Sequence, residues 1–303
     1  MNRFETFAHL LERELPGLEL RVNEPMSAHT TFKVGGPAAL MALPAAEEDM
    51  VRAVKLAGEN GMEPLLIGLG SNLLVDDRGL ERFVIKTAPQ MNCCKVSGHC
   101  VTAWAGAPLA QVANAAADHG LTGFEFAHGI PGSLGGAVVM NAGAYDGEMR
   151  QVVRSVRVLN NRCEVEELSA AQCDFSYRHS AFSDGSRMVL SAELELKPGD
   201  PELIRGHMAE LMARRKEKQP LEWPSAGSTF KRPAGYFAAA LIDQCGLKGF
   251  RVGGAQVSEK HAGFVINAGG ATCRDILSLM DEVRERVFRQ FGVELEAEVK
   301  YLR

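Results

Sequence analysis

The sequence predicts an α+β protein made of two or three cooperating modules, and three observations lead there. Its 303 residues exceed the size at which one hydrophobic core stops growing, roughly 250 to 300 residues, so modules separated by a cleft are expected. Segments of helical period and segments of strand period both run along the chain, with no internal repeat. Two loops are rich in glycine: Gly68-Leu69-Gly70-Ser71-Asn72, and Gly129 to Tyr145, which reads GIPGSLGGAVVMNAGAY with five glycines in seventeen residues. The second is too rich in glycine for a helix and too apolar for a linker. Bare backbone of this kind lets successive N–H groups approach one anion, as phosphate cradles require.

Composition narrows the partners. A hydrophobic content of 46% with 23% charged residues is that of a soluble globular protein. The formal net charge of -5 provides no basic field for nucleic acid, so an anionic ligand must be held by local cations. Acids among the apolar residues of MNRFETFAHLLERELPG argue against a secretory signal. No run of about 18 apolar residues exists to insert in a membrane, so a cytoplasmic protein is expected. The seven cysteines are odd in number and include no C-x-x-C pair, against a disulfide framework. Cys93, Cys94, His99 and Cys100 are badly spaced for one tetrahedral ion, and no metal is expected.

In order, residues 5 to 15 read as an amphipathic helix stopped by Pro16-Gly17. HTTFKVGGPAALMALP, from His29, alternates as strands broken at Gly35-Gly36-Pro37. Residues 47 to 60 open on acids, place Met50, Val54 and Ala57 on one face, and close at Gly61, which is a helix. A strand from Pro64 breaks into the first glycine loop. That loop is no Rossmann fingerprint, because Leu73 occupies the third glycine position and an apolar strand-like stretch follows in place of a helix; the Walker spacing is also absent. Strands at 83 to 86 and 100 to 105 and an Ala-rich helix from Pro108 to His119 separate it from the second loop. There Pro131-Gly132 sets a tight turn and Asn141 can bond backbone or ligand. Two such loops can straddle a dinucleotide pyrophosphate.

Beyond them, residues 152 to 159 and 163 to 168 form a hairpin around Asn160-Asn161, and a strand runs from Arg187 to Leu196. The break at Lys197-Pro198-Gly199-Asp200-Pro201 marks a domain boundary, followed by a helix to about Lys216 with Ile204, Met208 and Leu211 on one face. KQPLEWPSAGSTFKRPAG carries three cations, Lys218, Lys231 and Arg232, and leads into a helix from Tyr236 to Cys245. AGFVINA is a buried strand. Ile276, Met280, Val283, Val287 and Phe291 mark the apolar stripe of a helix from Thr272. VELEAEVKYL alternates as a half-buried strand with a charged face.

Six blocks then stand in order: HTTFKVGG (29 to 36), GLGSNLLV (68 to 75), EFAHGIPGSLGGAVVMNAGAY (125 to 145), DFSYRHSAF (174 to 182), SAGSTFKRP (225 to 233) and EAEVKYL (296 to 302). Together they resemble the UDP-N-acetylenolpyruvoylglucosamine reductase family, also called UDP-N-acetylmuramate dehydrogenases, over essentially the whole chain. The resemblance implies a two-lobe flavin domain of the FAD-binding type-2, vanillyl-alcohol-oxidase-like kind plus a C-terminal α+β substrate-binding domain. The first lobe would be residues 1 to 86 joined by a C-terminal strand at 292 to 303, the second 87 to 198, and the substrate-binding domain 205 to 291. It implies non-covalent FAD, NADPH as co-substrate, a UDP-sugar substrate, and a place in bacterial peptidoglycan precursor synthesis.

By the same resemblance, Gly68, Gly70, Ser71, Asn72, Gly129, Ile130, Pro131, Gly132, Ser133, Gly135, Gly136, Asn141 and Gly143 hold the cofactor. Ser228 is the proton donor, where the residue alone reads as a turn serine. Arg178 is the active-site guanidinium, suited to a developing dianion, where alone it reads as a surface arginine. Glu298 is the third catalytic residue, where its alternation reads as a solvated carboxylate; to donate a hydrogen bond it must be protonated. Lys218, Lys231 and Arg232 bind the substrate diphosphate, or else form a solvated patch. Longer members carry an inserted loop whose tyrosine closes over substrate. Here the tyrosines are Tyr145, Tyr177, Tyr236 and Tyr301, none between 178 and 218, which implies the shorter branch. Another flavin dehydrogenase or oxidase acting on an alcohol or sugar acid, and a nucleotide-binding regulator, are the competing readings.

Overall fold

The computed structural model describes residues 2–303. The chain forms two compact units, one of residues 1–22, 40–69 and 82–214, the other of residues 23–39, 70–81 and 215–303.

The first unit opens with helix α1 (Arg3–Glu14), whose N-terminus is closed by a capping box: the Asn2 side chain accepts from Phe4 and Glu5 N–H while Glu5 reaches back to Asn2 N–H. Such a box satisfies donors that the first helical turn leaves open. Helix α2 (Glu47–Glu59) buries Met50, Ala53, Val54, Leu56 and Ala57, the face its period implies. A four-stranded sheet runs in the order Glu19–Pro25, Pro37–Leu43, Leu80–Lys86, Pro64–Ile67, and the last two strands are parallel with Leu66 opposite Ile85. A larger antiparallel sheet follows the order Val165–Ser169, Val153–Leu159, Met188–Glu195, Cys100–Trp104, Cys94–Ser97. The hairpin turns at Asn160, whose carboxamide oxygen accepts from Arg162 and Glu164 N–H. Helix α3 (Leu109–Asp118) packs its alanines into the same core.

One expectation fails inside the second glycine loop. Residues Leu134–Val139 form a short helix, α4, although two glycines lower its intrinsic propensity. Packing overrides propensity here: Leu134, Ala137 and Val138 are buried in the core. A Cβ on Gly135 would lie 2.8 Å from that of Ala105, an approach only glycine permits. The first turn is anchored by Leu134 N–H to Ala107 O and Gly135 N–H to Ala105 O, 2.8 and 2.9 Å. Helix α5 (Pro201–Lys218) follows the proline-rich break, with Ile204, Met208 and Leu211 buried.

The second unit centres on helices α6 (Ala238–Gln244) and α7 (Cys273–Phe291) and an antiparallel sheet of Arg251–Val252, Ala255–Val257 and Val265–Asn267. In α7, Ile276, Leu279, Met280, Val283 and Val287 face the core, and Gly292 ends it with φ of 68°, the left-handed C-terminal cap that favours glycine. Its N-terminus is bound from outside the helix as well: the Asp77 carboxylate accepts from Cys273 and Arg274 N–H at 2.8 and 3.1 Å.

Two strand expectations are corrected in this unit. The residues of HTTFKV fold as turns, because the Thr30 hydroxyl bonds Val34 O at 2.8 Å and Lys33 takes φ of 55°; local side-chain bonds of this kind compete with a ladder. At the C-terminus the alternation extends further than the strand. Only Lys300–Leu302 is strand, parallel to Leu73–Val75, while Ala297 makes an isolated bridge with Phe230. The segment changes partner between them, so a single ladder never forms.

Candidate active site

In the first unit the two glycine loops approach closely. A Cβ on Gly68 would lie 2.1 Å from the Ser133 hydroxyl, so the contact exists only because residue 68 has no side chain. Ser133 is 2% exposed, and its hydroxyl has no partner among the described residues, as is true of the buried Nδ1 of His128, one residue before Gly129. A buried hydroxyl left unpaired is costly. Two such atoms beside side-chain-free backbone fit a polar, phosphate-bearing cofactor.

Arg178 is delivered to the same loop. Ser176 and His179 exchange N–H···O bonds of 3.1 and 3.2 Å across a tight turn, with Arg178 in the left-handed region at φ of 55°. Its Nη2 lies 3.5 Å from Gly143 O, and its guanidinium sits 5.0 Å from the Tyr177 ring centroid. The turn is tied down by Asn141, which is fully buried. Asn141 Nδ2 donates to Ser176 O at 2.9 Å and to Glu148 at 3.0 Å, and its Oδ1 accepts from Arg150 N–H at 2.9 Å. The amide of Asn141 is therefore spent within the protein, joining the glycine loop to the arginine turn.

In the second unit the Ser228 and Glu298 segments lie side by side. Glu298 N–H donates to Thr229 O at 2.9 Å and Lys231 N–H to Glu296 O at 2.8 Å. Thr229, 1% exposed, is held by its N–H to Gly263 O and by its hydroxyl, which accepts from Val265 N–H, both 2.9 Å. The end of the first glycine loop closes onto the same place: Asn72 Nδ2 donates to Glu298 O at 3.0 Å and Asn72 O accepts from Lys300 N–H at 2.9 Å. Gly70 lies over His29, its carbonyl accepting from Thr31 N–H.

The cations around this ladder differ in setting. Lys231 pairs with the exposed Glu296, Arg232 stacks 3.8 Å over the Phe237 ring, and Lys218 is exposed in the last turn of α5. Lys300 was missed by sequence reasoning, which placed it on a solvated face. It is half-buried, and burial, then the neighbouring Lys231 charge, holds its pKa below the ordinary lysine value. A desolvated ammonium beside another cation is an electropositive feature. Thr229 and Ser176 were likewise missed, because their partners are distant in sequence.

Among the described residues no group of three or more acidic, His or Cys side chains is placed to hold a metal, and no helix is long and apolar enough to cross a membrane.

Two family models match. "FAD binding domain" covers residues 38–169, which includes both glycine loops. "UDP-N-acetylenolpyruvoylglucosamine reductase, C-terminal domain" covers residues 219–302, which includes Ser228, Lys231, Arg232 and Glu298. The UDP-N-acetylenolpyruvoylglucosamine reductase of Clostridium perfringens is 47% identical over 302 residues, spanning 100% of this chain and 99% of that protein. The crystal structure of the UDP-N-acetylenolpyruvylglucosamine reductase of Thermus caldophilus superposes with a TM-score of 0.81 at 35% identity, covering 94% of this chain and 99% of that one. An alkyldihydroxyacetonephosphate synthase, with a TM-score of 0.50 at 17% identity over 64% of this chain and 40% of its own, shares the fold alone. The fold is thus an FAD-binding domain of the vanillyl-alcohol-oxidase type followed by a reductase C-terminal domain. With both models in place and full-length identity near one half, the chain belongs to the UDP-N-acetylenolpyruvoylglucosamine reductase family.

Proposed function

We propose that this protein reduces the enolpyruvyl ether of UDP-N-acetylenolpyruvoylglucosamine to UDP-N-acetylmuramate, with FAD as cofactor and NADPH as hydride source, in the cytoplasmic synthesis of peptidoglycan precursors. The observation that carries the reading is the ladder that ties Thr229 to Glu298 and Lys231 to Glu296, with Asn72 of the glycine loop on Glu298. It joins the segment that carries the matched serine, through the next residue Thr229, to the backbone of the matched Glu298 and to one cofactor loop.

The glycine loops would hold FAD, which would supply to the terminal enolpyruvyl carbon the hydride drawn from NADPH. Negative charge then grows into the adjacent carboxylate, where the Arg178 guanidinium supplies two parallel donors. Ser228 delivers its hydroxyl proton to the neighbouring carbon. Glu298 assists as a hydrogen-bond donor in its protonated form. Lys218, Lys231 and Arg232 hold the diphosphate, and Lys300 adds positive charge beside them. Residues 1–86 with 292–303, and residues 87–198, form the FAD-binding lobes, and residues 205–291 the substrate-binding domain. The cofactor-binding assignments of Gly68, Gly70, Ser71, Asn72, Gly129, Ile130, Pro131, Gly132, Ser133, Gly135, Gly136, Asn141 and Gly143 are part of the same proposal, with Asn72 and Asn141 acting through their main chain, since the Asn72 carboxamide donates to Glu298 O and that of Asn141 is spent on Ser176, Glu148 and Arg150. For Ser133, the support is its unpartnered buried hydroxyl.

The test separates the two half-reactions. FAD-loaded protein mixed with NADPH should lose its flavin absorbance, and adding the enolpyruvyl sugar nucleotide should restore it. Ser228→Ala should leave bleaching within a few-fold of the parent and slow recovery by about 10²- to 10⁴-fold, the usual range for a lost general acid. Recovery with an alcohol or sugar acid in place of the enolpyruvyl nucleotide would reject the substrate. Equal loss in both halves would reject the role of Ser228.

A further inference from the structure

We propose that Asn72 is a positioning residue for Glu298, fixing the backbone from which the catalytic carboxyl projects. This inference rests on the reading of Glu298 as catalytic and adds a residue that acts through it. Asn72 ends the first glycine loop, one residue before the strand Leu73–Val75, which pairs in parallel with Lys300–Leu302 and sets Leu73 opposite Lys300. Above Leu73 the backbone ladder stops, and the Asn72 side chain extends it: Nδ2 donates to Glu298 O at 3.0 Å while its own carbonyl accepts from Lys300 N–H at 2.9 Å. One residue thereby brackets Val299, which is itself buried at 7% exposure.

The other side of Glu298 is fixed as well, since its N–H is held by Thr229 O at 2.9 Å. The carboxyl-bearing residue therefore has its donor committed to the serine segment and its acceptor committed to the glycine loop. Neither peptide plane flanking Glu298 can rotate without breaking one of these bonds. A short carboxamide is suited to this position. It presents an N–H at the distance where a regular parallel ladder would supply a backbone N–H, whereas aspartate would set a carboxylate against a carbonyl oxygen. Displacements of about 1 Å at a reacting group can cost on the order of 10²-fold in rate, so a bond that holds backbone alone can matter to catalysis.

The test is a double-mutant cycle on the FAD-loaded, full-length protein. Asn72→Asp keeps the size and removes the donor; Asn72→Ser is the second variant, in case the first does not fold. Each is measured alone and with Glu298→Gln for flavin retention, for bleaching by NADPH, and for recovery of flavin absorbance with the enolpyruvyl nucleotide. The expected result is a roughly 10- to 100-fold slower recovery in each Asn72 variant, with retention and bleaching within about 3-fold of the parent. No further slowing is expected when either is added to Glu298→Gln, because residues acting as a unit are not additive. Losses that multiply across the cycle would overturn the proposal, and flavin retention that falls as far as recovery would overturn it by assigning the Asn72 side chain to direct cofactor contact. Unimpaired recovery in Glu298→Gln would overturn it too, by removing the catalytic role of Glu298. Additive losses with Glu298→Gln impaired would instead leave that role standing.

Discussion

Replacing Gly70 by alanine tests whether the first glycine loop is set by backbone contact, and its cost can be worked from two separate terms. The residue has φ of 67°, where an L side chain costs roughly 1–2 kcal/mol relative to glycine. In addition, the new Cβ would lie 2.0 Å from His29 O, 3.1 Å from His29 C and 3.2 Å from Thr30 Cα. All three atoms are backbone, so no rotamer change relieves the overlap, and forcing a packed segment apart costs about 1–3 kcal/mol more. The sum is about 2–5 kcal/mol. Gly246 is an internal control, because its φ is also 67° yet a Cβ there meets nothing within 4 Å; Gly246→Ala should cost about 1–2 kcal/mol, the conformational term alone. Urea denaturation of both variants, monitored by circular dichroism, gives the comparison, and flavin retention of Gly70→Ala should fall as the loop is displaced. If the two variants lose stability equally, to within about 0.5 kcal/mol, the steric argument is wrong.

Two further outcomes follow from groups away from the ladder. Burial pushes the Cys173 thiol up to about 11 from an ordinary value of 9.0, so above pH 9 the unfolded chain loses a proton that the native one keeps. Stability is then fully present below pH 9 and falls by up to about 1.4 kcal/mol per pH unit toward pH 11; Cys173→Ala should flatten the dependence of the urea midpoint over that window, and an unchanged slope would refute the assignment. Cys273, raised to about 12 by burial and then by Asp77 and Asp76, acts in the same direction. Asp77→Ala removes the carboxylate that caps α7 and should destabilise by about 1–2 kcal/mol, with Asp77→Asn recovering part of it; an unaltered denaturation midpoint in Asp77→Ala would show that the cap contributes nothing.

What could be read from the sequence depended on how local its cause was. Helices α2 and α7 were legible because their apolar stripes and terminal residues lie within one segment, and the hairpin because Asn160 closes it alone. Helix α4 was hidden, since the contacts that hold two glycines in a helix come from Ala105 and Ala107, about thirty residues earlier. The C-terminal alternation was real in period, but its ladder is broken by a change of partner from Phe230 to Leu73, which period cannot reveal. The matched residues Ser228, Arg178 and Glu298 were visible through motifs alone. Ser176, Thr229 and Lys300 carry no local mark of their setting, because each acquires it from a partner 35 or more residues away or from burial that only the folded chain creates.

The second unit is assembled from residues 23–39, 70–81 and 215–303, and this interleaving has a consequence for biogenesis. The two early pieces leave the ribosome long before the residues that complete their core: Leu74 waits for Ile276 and Val283, and the strand at Leu73–Val75 waits for Lys300–Leu302. Until those later residues emerge, an apolar strand edge and the uncovered Phe32, Val34 and Leu74 are open to solvent, a hazard for premature association. Translational pausing or chaperone capture should therefore matter most for nascent chains between these segments, and a ribosome stalled before residue 300 should hold a chain that trypsin still cuts within residues 70–81.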